Sequence, residues 1–206
     1  MLALDATIAA IDAANAEDPR RIEGRAFEQL YAERMSARLA ALYPDASDLL
    51  KIAARAQHLR RWEIERTKYD EGRRGYNDWR RACRVHHADL AVDIMRAHGY
   101  DAPAIAHVGA LIRKEQLKKD TESQALENIA AIVFLEHYLD DFLEKHRDYA
   151  DDKLVDILGK TLCKMSPKGH AAALALPLPP RARSLVEAAV AREAQALARL
   201  AAVAVD

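Results

Sequence analysis

Apolar residues recur three and four positions apart along most of this chain, and no segment alternates apolar and polar residues as a half-buried strand does. That spacing gathers apolar side chains on one face of a helix. Only seven Gly and seven Pro interrupt 206 residues that are rich in Ala, Leu, Glu and Arg, which favour helices. We therefore predict an all-α fold, built as a single compact helical bundle.

Capping and turn residues set the predicted helix boundaries. Asp45 or Ser47 can cap the third helix, Gly99 can end a helix in the left-handed conformation, and Asp101 can begin the next one. Asp120, or a capping box formed by Thr121 and Gln124, begins a longer helix. The predicted helices cover about 2–15, 27–43, 76–97, 101–114, 120–147, 152–164, 167–176 and 181–204. The third helix, between the second and the one at 76–97, runs from its cap at Asp45 or Ser47 to about 60, and residues 68–76 form a loop.

The chain length predicts one domain over residues 1–206, with a core over about 5–178 and a C-terminal helix over about 181–204. Two Cys without a CxxC pattern favour a reducing cytoplasm. The first residues lack the basic segment of a signal peptide, and the longest strongly apolar run, Ile129–Leu135, is too short to span a bilayer. We expect a cytoplasmic protein with no membrane partner.

Charge is unevenly distributed, although the net charge is only −1 and gives no general indication of nucleic-acid binding. The segment 55–84 is basic, with ten Lys and Arg and five Asp and Glu. The segment 120–152 is acidic, with two Lys and Arg and ten Asp and Glu. These segments can pair with each other within the fold. Alternatively, the basic segment contributes to a site for an anionic small molecule.

The stretch "ARAQHLRRWE", residues 54–63, is the first candidate for chemistry. As a helix it would place His58 on the same face as Arg61 and Trp62, because these residues are three and four positions apart. We expect His58 and Arg61 to point inward and Arg60 outward. A planar guanidinium such as Arg61 suits a bidentate contact with phosphate or carboxylate, whereas the alternative is a solvated, ion-paired surface.

Other histidines lie on a later predicted helix. His86 and His87 lie on the two edges of its apolar stripe, with His87 nearer the centre. One of them could join His58 and Glu127 around Zn, Mn or Fe, since imidazole and carboxylate ligands suit these metals. The alternative is that these histidines lie at the edge of the core and bond to carbonyl or carboxylate groups.

The sequence "KMSPK", residues 164–168, looks like the KMSKS loop of class I aminoacyl-tRNA synthetases. That loop works on a parallel-sheet nucleotide-binding fold, and this chain has no alternating strands to build one. A helix start explains the same residues, with Ser166 as N-cap and Pro167 at the first helical position. We therefore do not predict a synthetase.

Several blocks along the chain carry a family resemblance: "IDAANAEDP", "LYAERM", "PDASDLLKIAARAQHLRRWEIER", "GYNDWRRACRVHHADLA", "LIRKEQLKKD", "QALENIAAIVFLEHY" and "KLVDILGKTLCKMS". In this order they resemble the bacterial and fungal proteins grouped as domain of unknown function 4202, from about residue 5 to the C-terminal helix. The resemblance implies no established activity, although some members are labelled glutamyl-tRNA synthetase.

The segment from "LYAERM" to "GALIRK" is also similar, more distantly, to HD-domain phosphohydrolases. Those all-helical enzymes gather an early His, a His-Asp pair and a later Asp around a divalent metal. His58 matches the His of the pair, but Tyr31 stands in place of the early His and Leu59 in place of the paired Asp.

The later Asp of that family corresponds loosely to Glu127 or Asn128, and Lys114 falls where some members have another His. Because Leu and Tyr cannot replace carboxylate and imidazole as metal ligands, we predict no metal site of this type. The resemblance implies an HD-like bundle whose central cleft has lost that metal centre.

We therefore expect a cleft that binds a phosphate- or carboxylate-bearing small molecule, in what could be a degenerate phosphohydrolase. The alternative is a non-catalytic helical module that binds an acidic partner through segment 55–84 and self-associates through its Ala-rich C-terminal helix. The predicted site has His58, His87 and Glu127 as catalytic residues, and Arg61, Trp62, Glu63, Lys114, Lys118 and Gln124 as ligand-binding residues.

Overall fold

A computed structural model describes residues 3–22 and 24–202, and its fold class is all-α, as predicted. The ends of the first and last predicted helices, residue 2 and residues 203–204, lie outside the described residues. The chain divides into two compact units, residues 1–116 and 117–206, which we describe one at a time. The single-domain organisation stays a prediction. No helix among the described residues is both long and apolar enough to cross a membrane.

The elements of the first unit are α1 (Ala3–Ala16), β1 (Arg21–Ile22), β2 (Arg25–Ala26), α2 (Phe27–Leu42), α3 (Asp48–Arg55), α4 (Gly72–Ala97) and α5 (Ala102–Arg113). Helix α5 packs along α4 and against α3, while α1 contacts α2, α3 and α4. The two very short strands form an antiparallel hairpin before α2, with Arg21 opposite Ala26 and Ile22 opposite Arg25. Single turns of 3-10 helix lie between α3 and α4.

The elements of the second unit are α6 (Thr121–His137), α7 (Leu139–Lys145), α8 (Asp151–Leu162), α9 (Pro167–Leu174) and α10 (Pro180–Ala201). The long C-terminal helix α10 packs along α8 and also contacts α7 and α9, while α6 contacts α7 and α9. Helix α6 is enclosed on nearly all sides, since every residue from Ser123 to Ile129 is buried.

Local capping by side chains explains the starts of three helices. The side chains of Ser47, Asp101 and Asp120 each accept a hydrogen bond from a backbone N–H in the first turn of α3, α5 and α6, which confirms the predicted caps. Gly99 follows α4 with a φ of +79°, the left-handed conformation that glycine adopts at low cost. Ser166 does occupy the N-cap position of α9, but its hydroxyl accepts from the side chain of Asn128 instead.

Each unit has its own apolar core. The buried stripe of α4 runs through Cys83, His87, Ala88, Ala91 and Met95, so His87 lies near its centre rather than at its edge. The largest fully buried side chains are Ile11, Met35, Leu39, Ile52, Leu59, Met95, Leu111 and Ile112 in the first unit, and Leu126, Ile129, Ile132 and Leu135 in the second.

The prediction of a helix to about residue 60 is wrong, because α3 ends at Arg55. The following turn is fixed by contacts distant in sequence. Asn15 Oδ1 accepts the backbone N–H of Arg60, and the carbonyl of the fully buried Leu59 bonds to His87. Arg60 takes the left-handed conformation, with a φ of 50°. Tertiary contacts therefore override the helix propensity of this stretch.

Two other predicted boundaries are also wrong, and one hairpin is not predicted. Helix α4 begins at Gly72 and not at 76, after a turn that Arg66 stabilises by donating to two backbone carbonyls. The helix predicted to continue to 147 breaks at Tyr138 and resumes as α7, with the rings of Phe134 and Phe142 in contact across the break. The hairpin was not predicted, because strands of two residues leave no alternating pattern.

Glycine substitutions test the close packing within the first unit. A Cβ at Gly75 would lie 2.0 Å from the backbone oxygen of Asp70, whereas a Cβ at Gly109 would meet only the flexible end of Arg113 at 3.0 Å. We expect Gly75→Ala to lower the free energy of unfolding by about 1–3 kcal/mol. Gly109→Ala should leave it unchanged or raise it by up to about 1 kcal/mol, since alanine favours helix. Urea denaturation measures both, and equal effects would contradict the packing.

Candidate functional site

The candidate site in the first unit is built around Glu28, a fully buried residue in the first turn of α2. Its Oε1 accepts a hydrogen bond of 2.6 Å from Arg20 Nη2. Asp18, also fully buried, accepts from the same guanidinium and from the backbone N–H of Glu28. A buried carboxylate is costly unless it is paired, so these contacts fix both acids and Arg20 in place.

His58 lies in the turn after α3 and faces Glu28. Its Nδ1 is 3.2 Å from Glu28 Oε2, and its ring stacks on Tyr31 with centroids 3.9 Å apart and an interplanar angle of 7°. The side chain is 23 % exposed, so the ring is held between fixed neighbours yet reachable from solvent. The imidazole therefore has a defined orientation before any ligand arrives.

Burial keeps the His58 ring neutral at neutral pH. It lowers the pKa of His58 well below 6.5, and the positive charges of Arg61, Lys114, Arg80 and Arg20 lower it further. Burial also raises the pKa of Glu28, an effect that the charge of Arg20 opposes. Because Glu28 already accepts from Arg20, we assign it as the acceptor and His58 Nδ1–H as the donor. Nε2 then carries the unshared electron pair.

His87 lies next to His58, with ring centroids 5.9 Å apart, and is almost fully buried. Its Nδ1–H donates to the carbonyl of Leu59 at 2.8 Å. Its Nε2 is buried and has no hydrogen-bond partner among the described residues. Burial lowers the pKa of His87 well below 6.5, and the positive charge of Arg61, together with that of His58 whenever its ring is protonated, lowers it further. His87 is therefore a second neutral imidazole with an open acceptor.

Cationic groups surround these two rings. The Arg61 guanidinium lies over the Trp79 ring, 4.5 Å from its centroid, and Trp79 is itself held by a hydrogen bond to the carbonyl of Ile64. Lys114 follows the last residue of α5 in the left-handed conformation, with a φ of 61°. Both residues are close enough to His58 for their charges to lower its pKa. The first unit thus brings together four of its predicted site residues: His58, Arg61, His87 and Lys114.

The other two predicted residues of this unit have local partners. Trp62 lies beside the guanidinium of Arg60, 5.3 Å from its carbon to the ring centroid. Glu63 accepts from Arg60 and lies 3.0 Å from His86 Nε2. The prediction that His58, Arg61 and Trp62 share one helical face is wrong, because the chain turns between them.

Three predicted residues belong to the second unit. Exposed Lys118 donates to the carbonyl of Cys163, and buried Gln124 donates to the carbonyl of Lys164 and to the side chain of Asn128. Glu127 is buried in α6. The joining of these residues with His58 in one cleft stays a prediction. In the described parts of both units, no three His, Cys, Asp or Glu residues are grouped so that they could hold a metal ion.

Residues 5–186 match a protein family described as a domain of unknown function, DUF4202. The chain belongs to this family. A search of curated proteins and a search of solved structures each return no match. For this DUF4202 protein, the likeness to HD-domain phosphohydrolases therefore stays a prediction. Tyr31, which stands in place of that family's early His, stacks on the ring of His58.

Glu28 is the site residue that the sequence analysis missed. A signal was present, because Glu28, Tyr31 and Met35 follow the spacing of the buried face of α2, and a charged residue at an apolar position indicates a paired, buried group. Asp18 gave no such signal, since it lies in a loop without periodicity and is buried only by tertiary contacts.

The two neutral histidines predict how stability depends on pH. In the unfolded chain each takes up a proton below about pH 6.5, whereas the folded protein resists this, so acidification favours unfolding. We expect the free energy of unfolding to fall from pH 7.5 to 5.5, by up to about 1.4 kcal/mol per pH unit for each histidine below 6.5. Urea denaturation of wild type and His87→Gln should show a smaller fall in the variant. Parallel curves would contradict the neutral state of His87.

Proposed function

We propose that this DUF4202 protein binds a phosphate- or carboxylate-bearing small molecule beside His58, with Arg61 and Lys114 contacting the anion. One observation carries the proposal: Arg61, which lies over the Trp79 ring and is close enough to His58 to lower its pKa, forms no ion pair with any described residue. The lowered pKa values of His58 and His87 support a cationic surrounding for both rings. Asp18 and Glu28 both bind Arg20, so the nearest buried acids of this cluster are already paired.

The position of Arg61 supports anion binding. The Trp79 ring holds the guanidinium carbon of Arg61 4.5 Å from its centroid, and the planar guanidinium carries several N–H donors. That geometry suits two oxygens of a phosphate or carboxylate. Because the site is partly enclosed, such a contact is stronger than the same contact on an open surface.

The backbone of Lys114 supports a role for its side chain. Left-handed backbone conformation is uncommon in residues other than Gly, Asn and Asp, and costs a lysine about 1 kcal/mol relative to glycine. Strained positions of this kind cluster at functional sites. The ammonium group of Lys114 would contact the bound anion, and the strained backbone would hold the side chain in position for this contact.

The Glu28–His58 pair gives the site a possible hydrolytic chemistry. On a bound phosphoester, His58 Nε2 would accept the proton of a water that attacks phosphorus while the P–O bond to the leaving alcohol breaks. Glu28 would stabilise the imidazolium that forms, which would return the proton to the departing oxygen. His87, whose ring centroid lies 5.9 Å from that of His58, would be a second neutral base. The free thiols of Cys83 and Cys163 support a cytoplasmic location for this activity.

Substitutions at Lys114 separate binding from stability. We expect Lys114→Gly to weaken the binding of inorganic phosphate about tenfold, the value of one charge-assisted contact. The same change should leave the free energy of unfolding equal or raise it by about 0.5–1 kcal/mol, because glycine accepts the backbone conformation. Isothermal titration calorimetry and urea denaturation measure the two quantities.

Lys114→Arg is the matched control, since it keeps both the charge and the strained backbone. It should bind inorganic phosphate within about threefold of wild type. The proposal fails if wild type gives no binding heat at millimolar phosphate, or if Lys114→Gly binds phosphate as well as wild type does.

A further inference from the structure

We propose that the anion bound beside His58 also carries a hydrogen-bond donor, so that the ligand is a protonated or hydroxylated phosphate or carboxylate and not a proton-free anion. This inference rests on the proposed function and narrows its ligand class. It comes from the acceptor atoms that the two histidine rings leave open, and not from the cations around them.

His58 offers the ligand an acceptor. Its Nδ1 is committed to Glu28, on the side of the ring that points into the protein. Stacking against Tyr31 holds the ring plane, and turning the ring over within that plane to present Nδ1 would lose its contact with Glu28. The remaining nitrogen, Nε2, carries a lone pair in the neutral ring. The low pKa of His58 means that this atom does not become a donor at neutral pH.

His87 has the same arrangement of ring nitrogens as His58 and is more deeply buried. Its Nδ1–H is used by the carbonyl of Leu59, and its Nε2 is a buried acceptor without a partner among the described residues. Two neighbouring imidazoles, 5.9 Å apart, therefore both present acceptors. A buried acceptor without a donor is unfavourable, so the pair favours a ligand or a ligand-bound water that brings O–H or N–H groups.

Simple anions differ in whether they carry a hydrogen-bond donor at neutral pH. At neutral pH sulfate carries no proton and presents only acceptors, whereas inorganic phosphate keeps at least one O–H. Arg61 and Lys114 would attract both anions, but beside His58 a sulfate oxygen would face the lone pair of Nε2. Sites built to bind a ligand O–H discriminate strongly against analogues that lack it, since the site's polar groups are then left unpaired. Phosphate is therefore the favoured probe.

The test compares inorganic phosphate with sulfate by isothermal titration calorimetry at pH 7 and matched ionic strength. We expect wild type to bind phosphate at least about tenfold more tightly than sulfate. In His58→Gln the preference should fall below about threefold, because the amide can turn its NH₂ group toward either anion. His98→Gln, in which the changed ring bonds to Ile94 at the far end of α4, is the matched control and should keep the preference.

His87→Gln is the second variant, which keeps the test available if His58→Gln does not fold. Equal affinities for phosphate and sulfate in wild type would overturn this inference and leave the proposed anion site intact. Binding of neither anion would overturn the proposed function, and this inference with it. A phosphate preference that survives in every folded histidine variant would overturn the role of the imidazole acceptors.

Discussion

The buried carboxylate of Glu28 is the constraint on which the candidate site depends. A fully buried acid requires partners on both oxygens, and the fold supplies Arg20 on one side and His58 on the other. To supply them, the loop before α2 must bring Asp18 and Arg20 inward, and α3 must end early enough for the chain to turn at His58. Glu28 thus joins the loop that carries Asp18 and Arg20 to the turn that carries His58.

The same constraint gives the site its chemical character. Glu28 orients His58, and enclosure keeps both His58 and His87 neutral although cationic side chains surround them. An open surface could not combine these properties, because solvated imidazoles would titrate near neutral pH. What results is a pair of neighbouring imidazoles close to Arg61, which lies over the Trp79 ring, and the proposed binding of an anion that carries a hydrogen-bond donor rests on this combination.

Helix positions and caps were predictable because they are local. Ser47, Asp101 and Asp120 act on backbone groups three residues away, so their roles are visible in the sequence. The turn after α3 was not predictable, because Asn15 holds Arg60 from 45 positions away and His87 holds Leu59 from 28 positions away. For the site, the sequence indicated His58, Arg61, His87 and Lys114 by residue type. It missed Glu28, whose role depends on a contact 30 positions away.

The most direct test of this account is a nitrogen-15 NMR titration of the histidine side chains, which reports both the protonation and the tautomer of each ring. We predict that His58 and His87 are neutral at pH 6, with the proton on Nδ1 in each. Protonation of His58 at or above pH 6.5, or a proton found on its Nε2 in the neutral ring, would contradict the account.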